Sequence, residues 1–298
     1  IAHGLTQRAD LLEAIVADIY ADNTLVSRGL LPPELVARNA EFLRPMVGIK
    51  PSSGHFLHFC AFELGRGPDG GWWVLGDRTQ APSGAGFALE NRVATTRALS
   101  DIYAQLNVHR LAGFFRDFRD ALFTEAGKTD GRVAILTPGQ LNDTYFEHAY
   151  IARYLGFMLL EGEDLVIDDG KVMVRTVAGL KPVSVLWRRM DAAFTDPLEL
   201  RYDSHIGTPG LTEALRRGTI SVVNAMGSGI LETRALAAFM PQLSRHLLGS
   251  ELELPGIATW WCGQEQERRH VIDNVETLMV GPAFSTTLAI DDQPATAI

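Results

Sequence analysis

Residues 60–92 read CAFELGRGPDGGWWVLGDRTQAPSGAGFALENR, and their reading decides the fold. The run crowds charges, glycines and a Pro-Ser-Gly turn around one short apolar core at positions 72–75. Gly76, Asp77 and Arg78 follow that core at once, then Pro82, Ser83 and Gly84, then Glu90, Asn91 and Arg92. Catalytic groups often sit just past strand ends, where the backbone leaves the sheet and the next loop can hold a ligand. Paired acids near arginines, with a Gly-rich turn, suit a metal-bound polyphosphate better than a protein core. On adjacent hairpin strands, Glu63 and Asp77 could approach and share a magnesium ion, while Arg66 and Arg78 neutralise phosphate charge. The plainer alternative is a hairpin whose ends are tied by salt bridges.

On either side of this run the chain is patterned for a mixed fold. Leu11, Leu12, Ile15, Val16 and Ile19 recur at three- and four-residue spacings, so residues 5–21 are expected to form an amphipathic helix. Leu30 to Glu34 starts a second helix with proline in its first turn, where a missing N–H costs nothing. Residues 56–62 and 72–75 read as strands joined by the turn at 65–71, and residues 86–106 and 110–126 as helices. From Arg132 onward, strand, helix and strand alternate at the spacing of a βαβ unit, with Asp168, Asp169 and Gly170 as a hairpin turn. Buried strands at 183–187 and 220–223 end in Arg188 and Arg189 and in a Gly-rich turn, residues 224–229. Backbone N–H groups in such a turn can face an anion, although many strand-to-helix turns are Gly-rich for steric reasons alone. Arg188 or Arg189 can bind a phosphate or carboxylate bidentately, or fix the loop by pairing with Asp191, Asp196 and Glu199.

Composition narrows the partners. The chain has 298 residues, 46% of them hydrophobic, and a net charge of -9. Length and apolar content allow a large core in one or two domains. The acidic balance offers no surface for nucleic acid or an anionic membrane. There is no run of about 18 apolar residues. Cys60 and Cys262 do not make a disulfide framework, so a reducing cytoplasm is expected. Cys60 reads as buried and inert; Cys262 lacks a positioned histidine, and a thiol enzyme is a minor alternative. His55 and His58 lack further ligands for zinc, and no G-x-S-x-G elbow surrounds Ser83 or Ser228.

Several blocks together resemble a known family. They are residues 70–75, 77–86 and 88–92, then Leu136 to Gly139, Tyr145 to His148, Glu161 to Leu165, Trp187 to Arg189, Asp196 to Leu198, Asp203 to Gly207 and Asn224 to Gly229. In this order they resemble the circularly permuted ATP-grasp proteins, relatives of glutathionylspermidine synthase. The resemblance implies an α+β fold in which two lobes hold ATP and magnesium, here with a small inserted βαβ subdomain. The implied segments are 1–130, with the helices and the hairpin lobe, 131–180, the βαβ subdomain, and 181–298, the remaining lobe. It also implies that the family pattern begins before Ile1 and continues past Ile298, whose polar tail at 290–298 reads as a loop.

The chemistry implied is activation of a carboxylate as an acyl-phosphate, then attack by an amine to give an amide. Glu63 and Asp77 are the expected metal ligands, and Arg66, Arg78 and Arg188 the expected catalytic arginines. Ser83, Gly84, Asn91, Arg92, Asn224, Gly227, Ser228, Gly229 and Arg234 are the expected nucleotide contacts. Three positions depart from the pattern. Gly76 and Arg78 stand where an acid and an asparagine are usual, and Arg234 stands where a lysine is usual. A small or peptide-like acid and an amine are the expected substrates, with a partner protein or fused domain possible. The alternative is a catalytically inactive ATP-grasp module that binds a ligand or a partner protein.

Overall fold

A computed structural model describes residues 1–106, 108–127 and 131–286. The chain opens with α1 (Ala2–Tyr20), α2 (Thr24–Ser27) and α3 (Pro33–Ala37), and then forms β1 (Ala61–Arg66) and β2 (Trp72–Arg78). Next come α4 (Ala85–Ala98), α5 (Ser100–Gln105), α6 (Ala112–Ala126), β3 (Arg132–Leu136), α7 (Tyr145–Leu155) and β4 (Met158–Leu160). They are followed by β5 (Leu165–Asp168), β6 (Lys171–Thr176), β7 (Gly179–Arg188), α8 (Leu211–Arg216) and β8 (Ser221–Val223). Two later helices are α9 (Met240–Leu247) and α10 (Glu265–Asp273). No helix among the described residues is long and apolar enough to cross a membrane.

Contacts group the chain into two compact units, each assembled from segments distant in sequence. The first takes Ile1–Gly48, Cys60–Thr79 and the chain from Gly227 on. Here α1 buries the expected stripe of Leu11, Leu12, Ile15, Val16 and Ile19, packing on α9 and on the 3-10 turn Ser228–Glu232. Pro33 occupies the first turn of α3, as its fixed φ favours. Strands β1 and β2 form an antiparallel hairpin with a bulge after Glu63. Two boundaries differ from expectation. Strand pairing begins at Ala61 rather than at 56, and β2 runs on through Gly76, Asp77 and Arg78 because Arg78 pairs with Ala61. Those three residues therefore belong to the sheet and are not in a loop past its end.

The second unit takes Ile49–Phe59 and Gln80–Met226. Its six-stranded sheet has the order β4-β3-β7-β6-β5, with β8 also paired to β7. Strand β3 runs parallel to both β4 and β7, so β3, α7 and β4 form the βαβ unit read from the sequence. The turn at Asp169 and Gly170 has positive φ at both positions, 46° and 70°, which suits a two-residue hairpin between β5 and β6. Segments 131–180 and 181–223 share this one sheet rather than standing apart, because β7 takes hydrogen bonds from β3, β6 and β8 along its length. An aromatic core of Phe59, Phe115, Phe118 and Trp187 backs the sheet.

Candidate functional site

The β1–β2 hairpin sets the chemistry of the first unit through simple parity, since neighbouring residues on a strand face opposite sides. Glu63 lies opposite Gly76, and Ala61 opposite Arg78, whereas Asp77 lies opposite Phe62. Glu63 and Arg78 thus share one face, and Asp77 occupies the other. The expected metal pair of Glu63 and Asp77 does not assemble, because their carboxylates diverge across the pleat.

Each acid is already engaged. Asp77 accepts from Nε and Nη2 of Arg8 on α1, at 2.6 and 2.8 Å, in a buried bidentate pair. Glu63 accepts from Nε and Nη2 of Arg78 at 2.9 and 2.5 Å. Its carboxylate lies over Gly76, where a Cβ would meet Oε2 at 2.9 Å. Arg78 also donates from Nη1 to the Thr286 carbonyl at 2.7 Å, and the same nitrogen stands 3.7 Å from Oε2 of Glu232. Glu232 takes the Thr79 backbone N–H on its other oxygen at 2.7 Å.

These side chains line a cavity of about 250 Å³ together with Arg8, Arg234 and Trp260. A larger cavity of about 510 Å³ shares Leu75, Arg234 and residues 257–260 with it. Its remaining wall is mainly apolar, with Trp261, Val271, Leu278, Met279 and Val280, and it includes Cys262. Nη1 of Arg8 is buried without a partner among the described residues. The Arg234 guanidinium, set between the two cavities, makes no hydrogen bond or ion pair among the described residues. Burial pushes the Cys60 thiol up to about 12, with Asp77 and Glu13 adding to the shift, so this cysteine is an unreactive thiol as expected.

The Gly-rich turn behaves differently from its reading as an anion cradle. Residues 221–230 are buried throughout. Asn224 accepts the His58 and Phe59 N–H groups at 2.8 and 3.0 Å and donates to the Phe59 carbonyl at 2.7 Å. Gly227, at φ 94°, lies against Tyr20, and its carbonyl accepts the phenol at 3.3 Å. Ser228 and Thr79 exchange hydroxyl-to-carbonyl hydrogen bonds, both 2.9 Å. Gly229 is buried in the 3-10 turn that follows. Arg188 is fully buried and donates to the carbonyls of Met190, Asn224 and Ala225. Expected contacts at Asn224, Gly227, Ser228, Gly229 and Arg188 are therefore spent on holding the turn, because backbone groups in a dry loop must find partners inside the protein.

Other expected residues are scattered. Arg66 sits at the hairpin tip, donating to the Gly70 carbonyl and lying 5.9 Å from the Trp72 ring, away from the cavity walls. Asn91 is exposed on α4, and Arg92 donates to the His109 carbonyl at 2.6 Å. Gly84 caps the start of α4, where Oε2 of Glu147 accepts its N–H at 2.7 Å, and Oγ of Ser83 accepts from Nη2 of Arg189 at 3.4 Å.

Beneath that cap lies a buried group in which Arg189 pairs with Glu147 rather than with Asp191, Asp196 or Glu199. Glu147 accepts from Arg189 at 3.3 Å, and the Arg189 guanidinium stands 5.1 Å from the Trp187 ring. Burial lowers Arg189 to about 10, against the opposing pull of Glu147. His148 bridges the hydroxyls of Thr137 and Thr144 at 2.9 and 3.0 Å. Burial, then the Arg189 cation, hold its imidazole down to about 3. An unfolded histidine titrates near about 6.5, so between these values the unfolded chain binds the extra proton. His148 thus adds stability that is complete above about pH 6.5 and declines as pH falls toward 3. Urea midpoints at pH 7 and pH ~4.5 should drop further for the parent than for His148→Gln. Equal drops would assign the acid sensitivity to other groups.

Helices with mixed sheets are consistent with the ATP-grasp class. The chain belongs to the circularly permuted ATP-grasp type 2 family, whose model matches residues 1–291. It is 42% identical to the uncharacterized protein Rv2567 of Mycobacterium tuberculosis over 284 residues, which is 95% of this chain and 32% of that protein. It is 35% identical over 282 residues to the uncharacterized protein sll0335 of Synechocystis, covering 94% of this chain and 59% of that one. A second M. tuberculosis protein, Rv2411c, is 34% identical over 284 residues, covering 95% and 52%. The chain thus spans roughly a third to three-fifths of the length of these relatives.

ATP-grasp enzymes generally use ATP with magnesium, and the two fit this site differently. A partnerless guanidinium beside an apolar chamber suits the anionic and aromatic parts of a nucleotide. Magnesium has no seat as the side chains stand, because Arg78 already holds the Glu63 and Glu232 oxygens. Among the described residues, no group of three or more His, Cys, Asp or Glu is placed to hold an ion.

Proposed function

We propose that this chain forms the nucleotide-handling part of an ATP-dependent carboxylate–amine ligase of the glutathionylspermidine synthase kind. A carboxylate oxygen of a small or peptide-like acid attacks the γ-phosphorus of ATP, and ADP leaves. The amine nitrogen then attacks the acyl carbon, phosphate departs and an amide forms. Family membership supports the reaction class. The observation that carries the site is Arg234, whose guanidinium has no partner among the described residues and stands where a polar cavity meets an apolar one. Its guanidinium, with Nη1 of Arg8, offers donors to a phosphate. The Trp260 and Trp261 walls offer an apolar seat to the base. Both cysteines are free, which accords with a reducing cytoplasm, and small-molecule acids and amines are the partners.

Calorimetric titration with a non-hydrolysable ATP analogue tests this. Arg234→Ala is expected to weaken binding by about tenfold or more, the worth of a charge-assisted hydrogen bond. Equal affinity in parent and variant would remove the nucleotide from this cavity. A second reading, an inactive module that binds a ligand or partner protein, is favoured by one observation. Arg78 occupies a strand position where the family resemblance calls for an oxygen ligand, and it is already clasped by acids. Parent protein that binds no analogue would decide for that reading.

A further inference from the structure

The surroundings of Arg78 carry an inference that does not depend on the nucleotide reading. We propose that the Arg78 guanidinium is a resident cation, held by the oxygens that would otherwise take a divalent ion, so that this cavity works without a metal. Three oxygen donors from three separate segments converge on it. They are the Glu63 carboxylate from β1, the Glu232 carboxylate ending the 3-10 turn, and the Thr286 carbonyl. Two carboxylates and a carbonyl form a hard-oxygen set of the type that calcium or magnesium accepts. Two acids facing one space repel each other unless a positive charge lies between them. Arg78 places its guanidinium between them.

Gly76 completes the arrangement. With no Cβ, it lets the Glu63 carboxylate lie flat over β2 and reach Nε and Nη2 of Arg78, where any larger residue would meet Oε2 at 2.9 Å. Asp77 cannot replace the lost ligand, since it points to the opposite face and is bound bidentately by Arg8. Charges lining the cavity already balance without an ion: Arg8, Arg78 and Arg234 against Glu63, Asp77 and Glu232.

The test uses Mn²⁺ alone, titrated into the full chain and followed by electron paramagnetic resonance of the free ion. The parent is expected to leave Mn²⁺ free. Arg78→Ala, checked for its fold by circular dichroism, is expected to take up one Mn²⁺ per chain, and Glu63→Gln in that background to release it. A folded Arg78→Ala that leaves Mn²⁺ free would overturn the proposal. So would a parent that binds Mn²⁺ and loses it on Glu63→Gln. Should Arg78→Ala fail to fold, Arg78→Gln, which keeps more of the side chain's bulk, takes its place in the same comparison. No nucleotide enters this experiment, so its failure and that of the ligase reading are separate results.

Discussion

Arg8→Met is expected to shift the urea unfolding midpoint far downward, with a stability loss of about 3–5 kcal/mol. Arg8 and Asp77 form a bidentate pair between α1 and β2, and their side chains are only 3% and 8% exposed. Removing the guanidinium leaves a carboxylate that cannot reach water and has lost both charge-assisted hydrogen bonds. The double variant Arg8→Met/Asp77→Leu should recover much of the loss, because a well-packed apolar pair avoids the desolvation cost altogether. A single-variant loss below about 1 kcal/mol would place the pair in solvent rather than in the interior. Asp77→Ala would likewise disturb the hairpin, so loss of the proposed ligase activity in that variant would not identify a metal ligand.

Gly227→Ala should be nearly as damaging, by about 2–5 kcal/mol. Two costs combine. Gly227 has φ 94°, a backbone state that an L-residue adopts at about 1–2 kcal/mol. Its Cβ would also meet the Tyr20 hydroxyl at 2.3 Å and the ring carbon bearing it at 2.4 Å, and a ring cannot bend away as a flexible chain could. Overpacking of this kind costs about 1–3 kcal/mol more. Adding Tyr20→Leu should relieve only the second part, leaving the backbone cost visible in thermal unfolding. A melting temperature within a degree or so of the parent's would show that the turn can move off Tyr20.

Much of the architecture could be read from periodicity. The α1 stripe, the β3–α7–β4 unit and the Asp169–Gly170 turn follow from local patterns that tertiary packing reinforces. The site was harder to read, for physical reasons. Whether Glu63 and Asp77 converge depends on strand register, and a shift of one residue reverses every side chain. The glycines at 227 and 229 have the same composition whether a turn faces an anion or packs against a phenol. Two missed groups did leave a signal. Arg8 lies on the apolar stripe of α1, three and four residues before Leu11 and Leu12, where a charge needs a buried partner. Glu147 and His148 likewise precede Ile151 and Ala152 by one turn on the buried face of α7. Glu232 left none, because its encounter with Arg78 joins segments 154 positions apart by numbering.

The order in which the chain leaves the ribosome has a consequence of its own. Helix α1 is made more than 200 positions ahead of Ser228–Glu232 and α9, which pack on its apolar stripe. At roughly 5–20 residues per second, that interval lasts on the order of 10–40 seconds. Throughout it the leucines and isoleucines of α1 lack that part of their cover, while the six-stranded sheet already has all its strands once Val223 has emerged. Helix α1 thus shows apolar surface during synthesis, and a product stalled before Gly227 would be prone to clump.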